Sequence, residues 1–218
     1  MKATAFASFG YGWQQLRKYF LHLFLICIVV AIANAPSQSW VGGDDGVASG
    51  GFATLNLFAA AFGLLVAPVV TYGGEWLYLR FMRDERPDFA DLFVGFKKGY
   101  LNIVLANLLV FAICGIGFVL LVVPGIVFGC RLSFVPYLVM DKGLDPVAAI
   151  EKSWSMTRGH GWRIFGMYLL SILLFMAGLC LLGVGALFAL MWIASAFASL
   201  YHAVDLEDQA RLNQNGAV

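Results

Sequence analysis

The sequence predicts an all-α polytopic membrane protein of six transmembrane helices. Three observations carry this: an apolar excess no globule of this size can bury, six long apolar stretches, and lopsided placement of the basic residues. Hydrophobic residues make up 61% of the 218 and charged residues only 12%, with a mean hydropathy of +0.82. Soluble domains run nearer half apolar and a quarter charged. The net charge of +1 and the lack of any basic tract outside short loops argue against a nucleic-acid partner.

A helix needs about 20 residues to cross the hydrocarbon core. Six stretches qualify: Tyr19–Ala35, Gly51–Tyr78, Leu101–Phe118, Pro124–Met140, Ile164–Leu182 and Gly185–Tyr201. Only "VLLVV" separates the third from the fourth before Pro124, and "GVG" the fifth from the sixth, so both pairs read as tight hairpins. The first stretch ends in "ANA", like a signal-peptide cleavage site, but Pro36 would follow the cut and block it. It is read as a span.

Six spans with an inner N-terminus place residues 1–18, 79–100, 141–163 and 202–218 on one side. Those segments hold every one of the 14 Lys and Arg residues except Arg131, while the outer loops carry only Asp44 and Asp45. Excess positive charge marks the cytoplasmic side, so both termini are expected there. The chain reads as one membrane domain over 1–218: an interfacial N-terminal helix over 1–18, the bundle over 19–204, and a solvated tail over 205–218. Phe6, Phe9, Trp13, Leu16 and Phe20 recur at helical spacing and predict a helix lying along the inner surface. The first outer loop, "PSQSWVGGDDGVASGG", reads as a mobile connector.

The two long inner loops resemble each other. Each leaves a span on Tyr-Leu and starts a short helix at an aspartate, Asp88 or Asp145, suited to capping. Each reaches a glycine, Gly99 or Gly159, where a left-handed residue is often needed. Apolar residues line one face of each short helix, with Lys97 and Lys98 or Lys152 and Arg158 at the ends, as interfacial helices require. A unit of span, interfacial helix and span, met twice in one direction, predicts a parallel internal repeat. Trp154, Trp162, Lys97, Lys98, Arg158 and Arg163 would form a collar facing lipid headgroups.

Arg131 is the anomaly. At about 1.5 Å per residue it sits about 15 Å from the inner boundary of its span and about 10 Å from the outer one. Mid-membrane arginine costs about 2.5 to 3.5 kcal/mol on insertion scales, so it should face protein and an acceptor. Glu75, in "TYGGEWLYLR", is the one carboxylate within a span, and Gly73 and Gly74 beside it would let another helix approach closely. The expectation is therefore an intramembrane ion pair, Glu75 with Arg131, assisted by Tyr72 or Tyr137 and by the carbonyl Pro136 leaves free. That pair would either lock the bundle or form a polar centre for a headgroup, solute or ion.

Nothing marks an enzyme: HExxH, Walker A, GxGxxG and Gly-x-Ser-x-Gly are all missing. His22, His160 and His202 are isolated, and His22 reads as a bundle histidine. The four cysteines (Cys27, Cys114, Cys130, Cys180) lie in apolar segments without CxxC spacing and read as small buried residues. No catalytic residue, metal or cofactor is expected.

The stretch "LLVVPGIVFGCRLSFVPYLVMDKGLDPVAAIEKSWSMTRGHGWRIFG" resembles small bacterial integral membrane proteins related to the membrane domain of glycerophosphoryl diester phosphodiesterases. Pro124, Gly125, Arg131, Ser133, Phe134, Asp141, Gly143, Ser153, Trp154, Thr157, Arg158, Gly159 and Trp162 carry that resemblance, and "RPDFADLFVGFKK" is similar to the counterpart in the first copy. It covers about residues 70 to 170 of the chain. It implies a protein of the bacterial inner membrane and no established activity; the phosphodiesterase domain of some relatives has no counterpart in these residues. Two functions remain open: a non-enzymatic bundle binding membrane lipid, another membrane protein or a second copy of itself, and a small transporter or channel centred on Glu75 and Arg131.

Overall fold

The computed structural model describes residues 5–35, 50–85, 87–180 and 184–215, and every described element is helical. In chain order they are α1 (Ala5–Lys18), α2 (Phe20–Asn34), α3 (Gly50–Leu65), α4 (Ala67–Met82), a 3-10 segment (Phe89–Phe93), α5 (Val94–Lys97) and α6 (Tyr100–Leu120). There follow α7 (Val122–Leu132), α8 (Val135–Lys142), α9 (Pro146–Met156), α10 (Gly161–Cys180) and α11 (Val184–Asn215). The first outer loop, with Asp44 and Asp45, falls outside the described residues, as does Gly183.

Among the described residues five stretches are long and apolar enough to cross a membrane: Leu57–Met82, Tyr100–Leu120, Val122–Lys142, Gly161–Cys180 and Gly185–Arg211. A sixth is reached only when α1 and α2, bent by 102°, count as one span. α2 alone has 15 residues, about 22 Å at 1.5 Å each, short of the roughly 30 Å core.

α4 is the central post. Tyr78 donates to the Leu23 carbonyl of α2 at 3.0 Å, and α8, α11 and the 3-10 segment also pack against α4. On α8, Tyr137 stacks on Tyr201 of α11 at 4.9 Å, with Phe134 edge-on to the same ring. α7 and α8 meet at a break at Ser133 and Phe134, two residues before Pro136, and Ser133 Oγ donates to the Cys130 carbonyl at 2.8 Å. A proline supplies no N–H, which accounts for a break at this point.

The α6–α7 hairpin forms, and α10 packs on α11, the turn over 181–183 between them lying outside the described residues. Gly117 faces Gly125, where a Cβ on the former would lie 3.0 Å from the other's Cα, and Gly178 meets the Gly185 carbonyl. The tip of the α6–α7 hairpin is wholly apolar and exposed, with Val119 at 88% and Val123 at 70%.

Ion pairs gather the inner loops at one end of the bundle. Arg83 makes a two-bond contact with Asp141 at 2.6 and 2.8 Å. Lys142 pairs with Asp205, Lys152 with Asp208, and Lys18 with Asp84. Arg83 lies just past α4, and the Asp141 carboxylate raises its pKa by hydrogen bonding to the charged form.

Two expectations are corrected here. The N-terminal helix does not turn its aromatic face to lipid: Phe9 and Leu16 are buried, Trp13 packs on Phe188 and Trp192, and Trp192 Nε1 donates to the Phe9 carbonyl at 3.0 Å. Gly12 permits the approach, since a Cβ there would sit 3.1 Å from the Ala196 nitrogen. The tail expected to be solvated is exposed at 209–211 while continuing α11 to Asn215, and the expectation fails only at its start, where Asp205 is buried and Asp208 is engaged by α9. A helix already paid for in nucleation extends cheaply when its side chains find partners.

Candidate functional site at Arg131

Both inner loops fold back against the spans they leave, and that sets the site. In the first, Arg80 pairs with Glu85 and Asp91, and the Leu92 carbonyl lies over Gly73, so close that a Cβ there would be 2.1 Å away. Gly74 faces Val30 of α2. The two glycines do admit close neighbours, but these are the 3-10 segment and α2 rather than the span bearing Arg131.

In the second loop, α9 lies against α7. Ser153 Oγ donates to the Arg131 carbonyl at 2.7 Å. Thr157 Oγ1 donates back to the Ser153 and Trp154 carbonyls at 2.8 and 3.2 Å. Asp88 and Asp145 have the extended backbone of capping residues, yet neither side chain caps its helix; Asp145 instead accepts from Asn102 at 3.5 Å. Gly99 and Gly159 are left-handed, at φ +79° and +85°, as their positions required.

Arg131 does not pair with Glu75. Its guanidinium lies over the Trp154 indole, 5.0 Å from the ring centroid, and Nη1 reaches the Trp154 carbonyl at 3.5 Å. That carbonyl is in the last turn of α9, where unsatisfied C=O groups concentrate partial negative charge. A ring face adds about 0.5 to 2 kcal/mol of attraction for a cation, most when desolvated. The helix end and the indole together supply what a carboxylate was expected to supply. Phe128, 5.9 Å from the Trp154 ring, holds the indole from its other neighbour in α7.

Glu75 is half-buried and makes no hydrogen bond or ion pair among the described residues. It lies within electrostatic reach of the Tyr72, Tyr137 and Tyr168 phenols. Two of the phenols expected to assist the pair are thus near the glutamate, and the arginine is elsewhere.

Arg131 looks into a groove of about 600 Å³ between α7 and α10. Val123, Ile126, Val127 and Cys130 form one wall, and Trp162 and Phe165 the other. Thr157, Gly159 and Gly161 close the end beside Arg131, which is the only charged residue in the lining. Its volume is within the range of about 300 to 1,000 Å³ typical of ligand sites. No family model, curated protein or solved structure matches the chain.

The remaining expected collar residues divide. Trp162 is 85% exposed at the groove's rim. Lys97, Lys98, Arg158 and Arg163 are exposed and make no ion pair among the described residues. Trp154 is half-buried beneath Arg131 and belongs to the groove's support.

The histidines also part from expectation. His22 is exposed, its ring stacked on Phe89 at 5.4 Å. His160 Nε2 lies 3.1 Å from Glu207, and His202 is half-buried on α11. Cys27 and Cys130 are buried, Cys114 is half-buried and Cys180 exposed. Among the described residues no His, Cys, Asp and Glu cluster is placed to hold a metal ion.

Sequence reading singled out Arg131, Trp154 and Trp162 but missed the groove that links two of them. Its walls are ordinary apolar residues of two spans. The one available signal was Gly159-x-Gly161 ahead of a long helix, which leaves the groove end without side chains.

Proposed function

We propose that this chain is a non-enzymatic six-helix protein of a bacterial inner membrane, both termini in the cytoplasm, that works by binding lipid or a partner membrane protein. The observation carrying the reading is the Arg131 groove, an apolar trough ending in a cation with no carboxylate partner. The clustering of basic residues in the inner loops supports the orientation. The parallel repeat is supported by left-handed residues at like places, Asp84 and Gly143 after α4 and α8, Gly99 and Gly159 before α6 and α10. The likeness of "RLSF" and "SWSMTRGHGW" to bacterial membrane proteins supports the compartment. Trp162, Lys97, Lys98, Arg158 and Arg163 serve in this reading as the headgroup-facing collar.

The runner-up is a small transporter or channel. Glu75 within electrostatic reach of three tyrosines favours it, whereas the turning of Arg131 toward α9 divides the polar centre it would use. Purification in native lipid, followed by mass spectrometry of what stays bound through detergent exchange, tests the leading reading. A lipid or a membrane protein retained at near-equal stoichiometry is the expected result. Solute or ion flux into proteoliposomes that is lost in Glu75→Gln would overturn it in favour of the transporter.

A further inference from the structure

We infer that the groove between α7 and α10 is a binding site for one anionic phospholipid, its phosphate held by Arg131 and one acyl chain lying along Val123, Val127 and Phe165. The inference rests on the lipid-binding reading and names the lipid class and the site.

Access decides the kind of occupant. Val123, Ile126, Val127 and Phe165 are exposed along the groove, at 70%, 39%, 45% and 38%, on helices apolar enough to span a membrane. The groove therefore opens toward the bilayer, and its natural occupant is an acyl chain. Trp162, at the rim beside the charged end, marks headgroup level, where indoles concentrate.

Charge decides the headgroup. A guanidinium carries five N–H donors, and Arg131 directs one of them at protein, over a long 3.5 Å contact. No carboxylate lines the groove; Glu151 lines a separate recess with Trp154 and Arg158. Arg158, though next in sequence to Thr157 and Gly159, belongs to that recess and not to the groove's lining. A Cβ on Gly159 or Gly161 would meet nothing within 4 Å, so an oxyanion can approach the start of α10, where the Arg163 and Ile164 N–H groups are taken by the His160 carbonyl and those of Gly161 and Trp162 make no backbone hydrogen bond among the described residues. Forked guanidinium contacts to phosphate are among the stronger polar interactions. The guanidinium of Arg131, with no carboxylate in the lining to balance it, repels the cationic group of a zwitterionic lipid. The preference is thus for net negative headgroups.

Native mass spectrometry of the full chain in detergent tests this. Phosphatidylglycerol and phosphatidylcholine of identical acyl chains compete for wild-type protein, with inorganic phosphate added in a parallel arm. One phosphatidylglycerol should be retained about tenfold over phosphatidylcholine, the scale of one charged hydrogen bond, and phosphate alone should not displace it. Val127→Trp should lower retention of that lipid, and Arg131→Gln should reduce the preference. Because Arg131 also supports α9, Arg131→Lys and Val127→Trp decide the matter if Arg131→Gln does not fold. Equal retention of the two lipids, retention untouched by Val127→Trp, a preference untouched by the Arg131 changes, or displacement by phosphate alone would each overturn the site. Failure of the site with lipid still bound stoichiometrically leaves the general lipid-binding reading standing; loss of all retained lipid removes both.

Discussion

The loop from α4 to α6 and the loop from α8 to α10 start from similar sequence and end differently. The first is sealed: Leu92 lies backbone-to-backbone on Gly73, and Gly95 inserts between Val69 and Ile103. The second is held through side chains: Ser153 Oγ donates to the Arg131 carbonyl at 2.7 Å, and the Arg131 guanidinium lies over the Trp154 indole. A glycine at the contact yields packing; an arginine yields a supported charge and an adjoining groove. The lesson is that one loop design serves as wall or as site according to the bulk of a single residue on the span behind it.

The sharpest way to break that contrast is to put bulk into the sealed loop. Gly73→Val places a Cβ within 2.1 Å of a carbonyl that cannot move alone, so a loss of about 3 kcal/mol or more is expected. Thermal unfolding in detergent reads it, and a near-wild-type midpoint would show that the loop is not seated there.

Next comes the supported charge. A double-mutant cycle of Arg131→Gln with Trp154→Ala should return a coupling of about 1 to 2 kcal/mol. The same cycle with Glu75→Gln in place of Trp154→Ala should be additive within about 0.5 kcal/mol. Coupling to Glu75 instead would restore the ion pair that charge counting suggested.

A smaller effect is expected at the turn glycines. Gly99→Ala and Gly159→Ala force an L-residue to φ near +80° and should each cost about 1 to 2 kcal/mol. Similar losses at both would sharpen the likeness of the loops; a loss at one alone would mark where they diverge.

The smallest effect is a pH dependence at the foot of α4. The hydrogen bond from Lys18 lowers the Asp84 pKa below its ordinary 3.8. A carboxyl depressed in the folded state stabilises above that ordinary value and loses its contribution as pH falls through the folded pKa. Below about pH 4, Asp84→Asn should therefore flatten the acid limb of a stability profile slightly. Asparagine tolerates the left-handed backbone at this position, φ +60°.

Much of this architecture was legible. Long apolar runs, hairpin glycines and the two left-handed glycines follow from length, composition and steric rules that act locally. The partner of Arg131 was not legible, because charge counting sees carboxylates and overlooks helix ends and ring faces. Glu75 was the sole formal anion in the six spans read from the sequence, yet the partial charge at the end of α9 lay closer. The burial of α1 was equally hidden: Phe9, Trp13 and Leu16 announce an amphipathic helix without saying whether lipid or Trp192 will cover it.

The tip of the α6–α7 hairpin carries one last implication. From Phe118 to Val123 it offers no side chain that could grip water or headgroups, while its backbone closes on itself through Leu121 N–H to the Gly117 carbonyl at 3.1 Å. This hairpin tip has no polar stop. The two helices can therefore ride in thin or thick bilayers with little penalty at the tip, since mismatch costs only fractions of a kcal/mol per ångström.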